Sequence, residues 1–256
     1  MIVFDIETDS LPLEEIQSVL PPFDPSSIGP PPGEFDPDSV KTGNTKDQAK
    51  IDAKIEAARE KHVADIAGYE RKQATAETNH WNDVVSKAAL SAVTGRVCAI
   101  GYAGKNEQLH LAIGDVSERQ LLLKFWQVYK TCRTSNRPLV GFNIKPFDVP
   151  FIAQRSWALG IEVPSTLLTP TGYLDQTFID LRERWQCGVR WGGQSGHGTL
   201  DAVCRSCGLP AKRSDICGAD FAKLLYGDDS ERESAIDYLK HDLAATTALA
   251  ERLGVS

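Results

Sequence analysis

The chain opens Met1-Ile2-Val3-Phe4-Asp5-Ile6-Glu7-Thr8. An apolar run that passes into alternation is the pattern of a half-buried β-strand. Side chains two apart in a strand point to the same side. Ile2, Phe4 and Ile6 therefore face a core, and Asp5 and Glu7 project together from the other side. Adjacent carboxylates repel each other unless a cation lies between them. The pair alone fits a polar strand face as well as half of a metal site, so its meaning depends on what the rest of the chain brings beside it.

Working outward, further strands are expected over Arg96–Tyr102, Gln108–Ile113 and Pro138–Phe142. Helical periodicity marks Leu121–Tyr129 and about Val149–Leu159, Leu200–Cys207 and Glu231–Leu253. Strands that lead, with helices interleaved later, indicate an α/β layered fold with a mixed sheet. Between the first two strands, residues 10–93 form an insertion. Its Pro-, Gly- and Asp-rich part, 20–44, predicts an irregular connection. Lys, Glu and Ala over about 45–92 predict a helical arm, folded as a hairpin with a second helix near 77–92. Ile51, Ile55, Val63 and Ile66 give that arm a sparse apolar stripe. It is either a solvated decoration or a lid over a substrate. Residues 1–256 are otherwise expected to form a single domain.

Two later segments supply more carboxylates. In Val140-Gly-Phe-Asn143-Ile-Lys-Pro-Phe147-Asp148-Val-Pro150, a strand ends near Asn143 and a helix begins around Asp148, with Pro150 tolerated in its first turn. Asp148 is either a helix cap or a site residue; capping leaves Asn143 and Phe147 unexplained. In Asp237-Tyr238-Leu-Lys-His241-Asp242, Tyr238 and Asp242 are four apart and share a helical face.

Taken in order, Asp5-x-Glu7, the Asn143-to-Asp148 segment and Tyr238-x-x-x-Asp242 resemble the three motifs of the DEDD 3′–5′ exonuclease superfamily. The likeness is to its tyrosine branch (DEDDy), similar to the proofreading exonuclease domain of family-B DNA polymerases. The histidine branch carries His five residues before the last Asp, where this chain has Asp237. The resemblance covers 1–9 and about 94–253. It implies a ribonuclease H-like fold and hydrolysis from the 3′ end of single-stranded nucleic acid, DNA ahead of RNA, with two Mg²⁺ or Mn²⁺ ions. It also implies roles. Asp5 would bridge both ions, Glu7 and Asp242 would complete the ion that holds the attacking water, and Asp148 would hold the second. Tyr238 would orient the water, since a phenol of pKa about 10 is a poor base at neutral pH. The backbone near Thr8 would meet the terminal 3′-hydroxyl and Leu11 would wedge against the terminal base, although Asp9-Ser10 replaces the commoner Thr-Gly. Asn143 joins these two as a substrate-binding residue.

Composition limits the alternatives less sharply. Of 256 residues, 41% are hydrophobic and 25% charged, an ordinary globular balance. The net charge of -7 gives no general attraction to nucleic acid, yet a site for divalent cations needs local negative charge. No apolar run reaches the ~18 residues of a membrane span, and no secretory segment is visible. Six unevenly spaced cysteines then suggest reduced thiols and a cytoplasmic location. Cys204-x-x-Cys207, with Cys187 and Cys217, poses a zinc site against ordinary core cysteines. The glycine-rich stretch Gly192–Gly198, with His197, lacks the ending of a phosphate-binding P-loop and reads as a loop bordering the cleft. Lys145, Arg190, Trp191, Lys212 and Arg213 are either cleft-rim contacts or plain surface residues. A chain this short leaves no room for a polymerase, so a partner in replication or repair would act in trans. The competing functions are an exoribonuclease of the same branch, a ribonuclease H-like endonuclease, and a non-catalytic nucleic-acid-binding domain.

Overall fold

Five strands in the order β3-β2-β1-β4-β5 form one mixed sheet in a computed structural model that describes residues 1–104, 107–113, 116–188, 198–210, 216 and 218–255. Strand β1 (Ile2–Ser10) lies at the centre, antiparallel to β2 (Gly95–Gly104) and parallel to β4 (Leu139–Gly141). The sheet is extended by β3 (Glu107–Ile113), antiparallel to β2, and by β5 (Phe178–Asp180), parallel to β4. The chain divides into two compact units, Met1–Leu11 with Ala88–Ser256, and Pro12–Lys87.

In the sheet unit, alternate residues of β1 feed two separate cores. Ile2, Phe4 and Ile6 pack with Leu122, Phe125 and Tyr129 of α3 (Glu118–Thr134) and with Val149 and Ile152 of α4 (Asp148–Ala158). The Tyr129 and Phe178 rings stack in parallel at 5.2 Å, and Phe4 meets Phe125 at 5.3 Å. Val3 belongs to the other core, with Leu239 and Leu243 of α8 (Asp229–Arg252), Val203 of α6 (Leu200–Ser206) and Phe221 of α7 (Gly218–Leu225). Capping boxes start the two long helices, Ser117 with Gln120 at α3 and Asp228 with Glu231 at α8.

The β1–β2 register is interrupted beside the acidic pair. Glu7 faces Ala99 but Thr8 faces Val97, which leaves Cys98 as the extra residue of a β-bulge. The Val97 amide donates to Glu118 (2.9 Å). Glu118 is gripped in turn by the buried Arg155 of α4, through Nε (2.9 Å) and Nη2 (2.8 Å), while Nη1 donates to the Ala92 carbonyl (3.2 Å). One ion pair thus joins α3, α4 and the bulge.

Gly141 ends β4 where no side chain fits. A Cβ there would lie 2.9 Å from the Phe4 carbonyl oxygen, which is backbone and cannot yield. Gly141→Ala is expected to cost about 1–3 kcal/mol, the usual scale of overpacking, measured by chemical denaturation.

The other unit starts with the short α1 (Leu13–Val19) and is built on α2 (Gln48–Ala88), 41 residues without a break. A hairpin near residue 77 does not form, because the stretch contains no proline and a single Gly68 costs only ~1 kcal/mol. The irregular segment runs antiparallel along this helix. Phe23 meets the His80 ring at 5.4 Å and Lys72 reaches the Ile28 carbonyl at 3.2 Å. Farther on, Phe35 meets His62 at 5.6 Å and Lys54 donates to the Thr42 carbonyl at 2.6 Å. These cross-links support a helix whose apolar stripe is too sparse to do so alone. Among the described residues no helix is long and apolar enough to cross a membrane.

Candidate active site

Asp5, Glu7 and Asp242 meet on one side of β1. Each offers a carboxylate oxygen, and these oxygens lie within 4.8 Å of one another. Glu7 and Asp242 are buried, and Asp5 is half-buried. The strand period brings the first two together, and α8, packed across the Val3 face, brings the third. Among the described residues this is the one cluster of ligating side chains able to hold a metal ion.

Asp148 is the first residue of α4, preceded by Phe147, which has no capping side chain. It is therefore not a helix cap. Strand β4 pairs with β1 only at Ile2 and Val3, so the β1 edge beyond them is open. There the Asp148 carboxylate takes the Ile6 amide. Burial, then the charge of Asp5, push its carboxyl well above the usual carboxylate range, against hydrogen bonds from its own and the Ile6 amide. A carboxyl raised in the folded state favours folding below its unfolded pKa of about 3.9, and that contribution is lost as pH rises. Without divalent cations, Asp148→Asn is expected to be more stable than wild type at pH 7. The difference should vanish near pH 3, as melting temperatures at the two pH values would show.

Tyr238 is buried, one turn before Asp242 on α8, with the Phe221 ring 6.1 Å away. A Cβ built on Gly218, the first residue of α7, would lie 3.8 Å from the Tyr238 hydroxyl and 3.9 Å from Glu7 Oε2. The hydroxyl and the carboxylate thus border one small space, which the bare glycine leaves open.

The segment before Asp148 is held by a residue that the sequence reading passed over. Asp180, buried at the end of β5, accepts the amides of Asn143 and Lys145 at 2.9 Å each and caps α5 (Leu181–Trp185) through Arg182 and Glu183. Asn143 itself adopts a left-handed φ of 65° and accepts from Arg182 Nη1 at 2.8 Å. The Lys145 ammonium is tied to Glu183. A signal for Asp180 existed in Phe178-Ile-Asp180-Leu-Arg182, a short apolar run ending in a capping residue.

Of the remaining sequence candidates, Thr8 sits at the bulge, paired with Val97. Leu11 is half-buried, its amide donating to the Thr94 carbonyl at 2.9 Å. Cys204 is buried, with its thiol 3.8 Å from the Ala245 carbonyl, and Cys187 is exposed. Cys217, Arg190, Trp191, Lys212, Arg213 and His197, with most of the glycine-rich stretch, lie outside the described residues.

Residues 79–252 match a protein family described as "Predicted 3'-5' exonuclease related to the exonuclease domain of PolB". The chain belongs to this family. The matched span contains Asp148, Tyr238 and Asp242 but starts beyond β1, so tertiary structure is what brings Asp5 and Glu7 to it. A solved structure of the family B DNA polymerase from the hyperthermophilic archaeon Pyrobaculum calidifontis is similar at a TM-score of 0.50 and 20% identity, over 66% of this chain. The chain spans 23% of that polymerase, and the likeness shows the fold, which is ribonuclease H-like. No curated protein matches.

Proposed function

We propose that this chain is a divalent-metal-dependent 3′–5′ exonuclease acting on single-stranded DNA. The observation that carries the reading is the convergence of Asp5, Glu7 and Asp242 oxygens within 4.8 Å. Three carboxylates held so close fit a hard cation, and their all-oxygen set suits Mg²⁺ or Mn²⁺. Asp148, beside Asp5, extends the set toward a second ion. Metal bound there supplies Lewis-acid stabilisation of phosphoryl oxygens and a more acidic water.

The chain's own groups do the positioning. Buried Tyr238 presents its hydroxyl to the space beside Glu7, where it orients water for in-line attack. Gly218 keeps that space open. Asp180 fixes the segment that leads into Asp148, and the Ile6 amide fixes the Asp148 carboxylate. Pre-set geometry of this kind lowers the barrier without any group having to move during reaction.

The test uses matched 5′-labelled single-stranded DNA and RNA with Mg²⁺ or Mn²⁺, and Asp5→Ala/Glu7→Ala as control. A ladder shortening from the 3′ end, seen on DNA with wild type and absent with the control, is the expected result. Shortening of RNA alone would make the enzyme an exoribonuclease. Cleavage of strands with blocked 3′ ends would make it an endonuclease, and binding without cleavage would leave a non-catalytic nucleic-acid-binding domain.

A further inference from the structure

The acidic face of β1 continues past Glu7 to Asp9, two residues and about 7 Å along the strand. Asp9 Oδ2 accepts from Arg96 of β2 through Nη2 (2.6 Å) and Nε (3.1 Å). The guanidinium so held lies over the ring of Tyr226, 5.5 Å from its centroid. Tyr226 directly follows α7, the helix whose first residue, Gly218, borders Tyr238 and Glu7. Helix α7 therefore begins at the carboxylate site and delivers Tyr226 to the next step of the same strand face. Cys98, the bulge residue, lies between the two, under the charges of both Glu7 and Asp9.

Single exposed aromatic rings are ordinary on protein surfaces, so it is the placement of Tyr226 that matters. Tyr226 is 53% exposed. One face is backed by a guanidinium that Asp9 pins, which pre-organises the ring and lowers the entropic cost of binding against it. A flat, cation-backed ring next to a phosphodiester-cleaving site is what an unpaired base needs, since every base presents a π-face.

We propose that Tyr226, backed by Arg96 and Asp9, is a stacking shelf for a base near the 3′ end of the bound strand. This rests on reading the carboxylates as a nuclease site. Because stacking is tolerant of base identity, the shelf aligns the strand without selecting sequence.

The test uses single-stranded DNA carrying 2-aminopurine at each of the last three positions in turn, with phosphorothioate linkages to slow hydrolysis. Wild type is expected to quench the probe at one of these positions. Tyr226→Ala should lose that quenching and bind on the order of 10- to 100-fold more weakly. Tyr226→Phe should keep both, and Arg96→Ala should fall between. With an abasic site at the quenched position, wild type and Tyr226→Ala should bind alike. Unaltered melting temperatures establish that these variants fold. Equal affinity and quenching for wild type and Tyr226→Ala would overturn the shelf, even where unmodified DNA is degraded from its 3′ end. Quenching lost with Tyr226→Ala but without hydrolysis of unmodified DNA by wild type would keep the shelf and remove the exonuclease. Absence of binding would remove both.

Discussion

Asp242→Asn is expected to lower hydrolysis by about 10²- to 10³-fold or more, the scale on which one electrostatic contact to a developing charge matters. It should also leave the metal-free protein at least as stable as wild type. Both effects have the same origin. Unit charges at the 4.8 Å that bounds the separation of these oxygens repel by on the order of 3 kcal/mol at an effective dielectric of about 20. The folded chain therefore carries a cost at this cluster that a cation relieves. The isosteric amide removes one charge from a residue that is 2% exposed and keeps its volume, so the core around α8 stays packed. A ligand that binds only the folded state raises stability by about 2.7 kcal/mol at a hundred times its Kd. Wild type should accordingly melt at rising temperature as Mn²⁺ is added, and Asp242→Asn should respond far less. Wild-type turnover by the variant, with an unchanged Mn²⁺ response, would show that the three carboxylates do not form the metal site.

Arg155→Ala is expected to produce the largest loss of stability, about 3 kcal/mol, the lower end for a broken buried pair, because it removes the counter-ion of Glu118, whose side chain is only 13% exposed. Glu118, at the start of α3, would lose its two guanidinium bonds of 2.9 and 2.8 Å while still largely shielded from water. The melting temperature should fall by on the order of 10 °C. Replacing both partners, Arg155→Met with Glu118→Gln, should recover much of this, since the amide can still accept from Val97 and no unpaired charge remains. The same network supports the bulge beside Glu7 and the helix that begins at Asp148. Arg155→Ala should therefore weaken metal binding as well, measurable by titration at temperatures where the variant is still folded. Equal melting temperatures for the single and double variants would refute the ion-pair account.

Much of the fold could be read from local pattern. The alternation in Ile2–Glu7 assigns Phe4 and Ile6 to one core and Asp5 and Glu7 to the opposite side, as the packing of β1 shows. Helices α3, α4 and α8 carry enough turns for a 3.6-residue period to show. Strand β5 and helix α5 do not, at three and five residues. The hairpin expected within the insertion failed for a different reason. Periodicity reports that a helix forms, and without a proline nothing in the sequence forced α2 to stop before Ala88.

Sequence alone determined which residues carry charge, which face of each long element they occupy, and the order of the three acidic motifs. These depend on neighbours within a few residues, so a one-dimensional pattern holds them. Only the tertiary structure decided that the Asp180 carboxylate would hold Asn143 and Lys145, that Glu118 would take the bulge amide of Val97, and that Gly218 would open beside Tyr238 and Glu7. Each of these partners lies far along the chain from the group it serves. A buried polar group must find a hydrogen-bond partner, but which partner it finds is set by how the helices seat on the sheet.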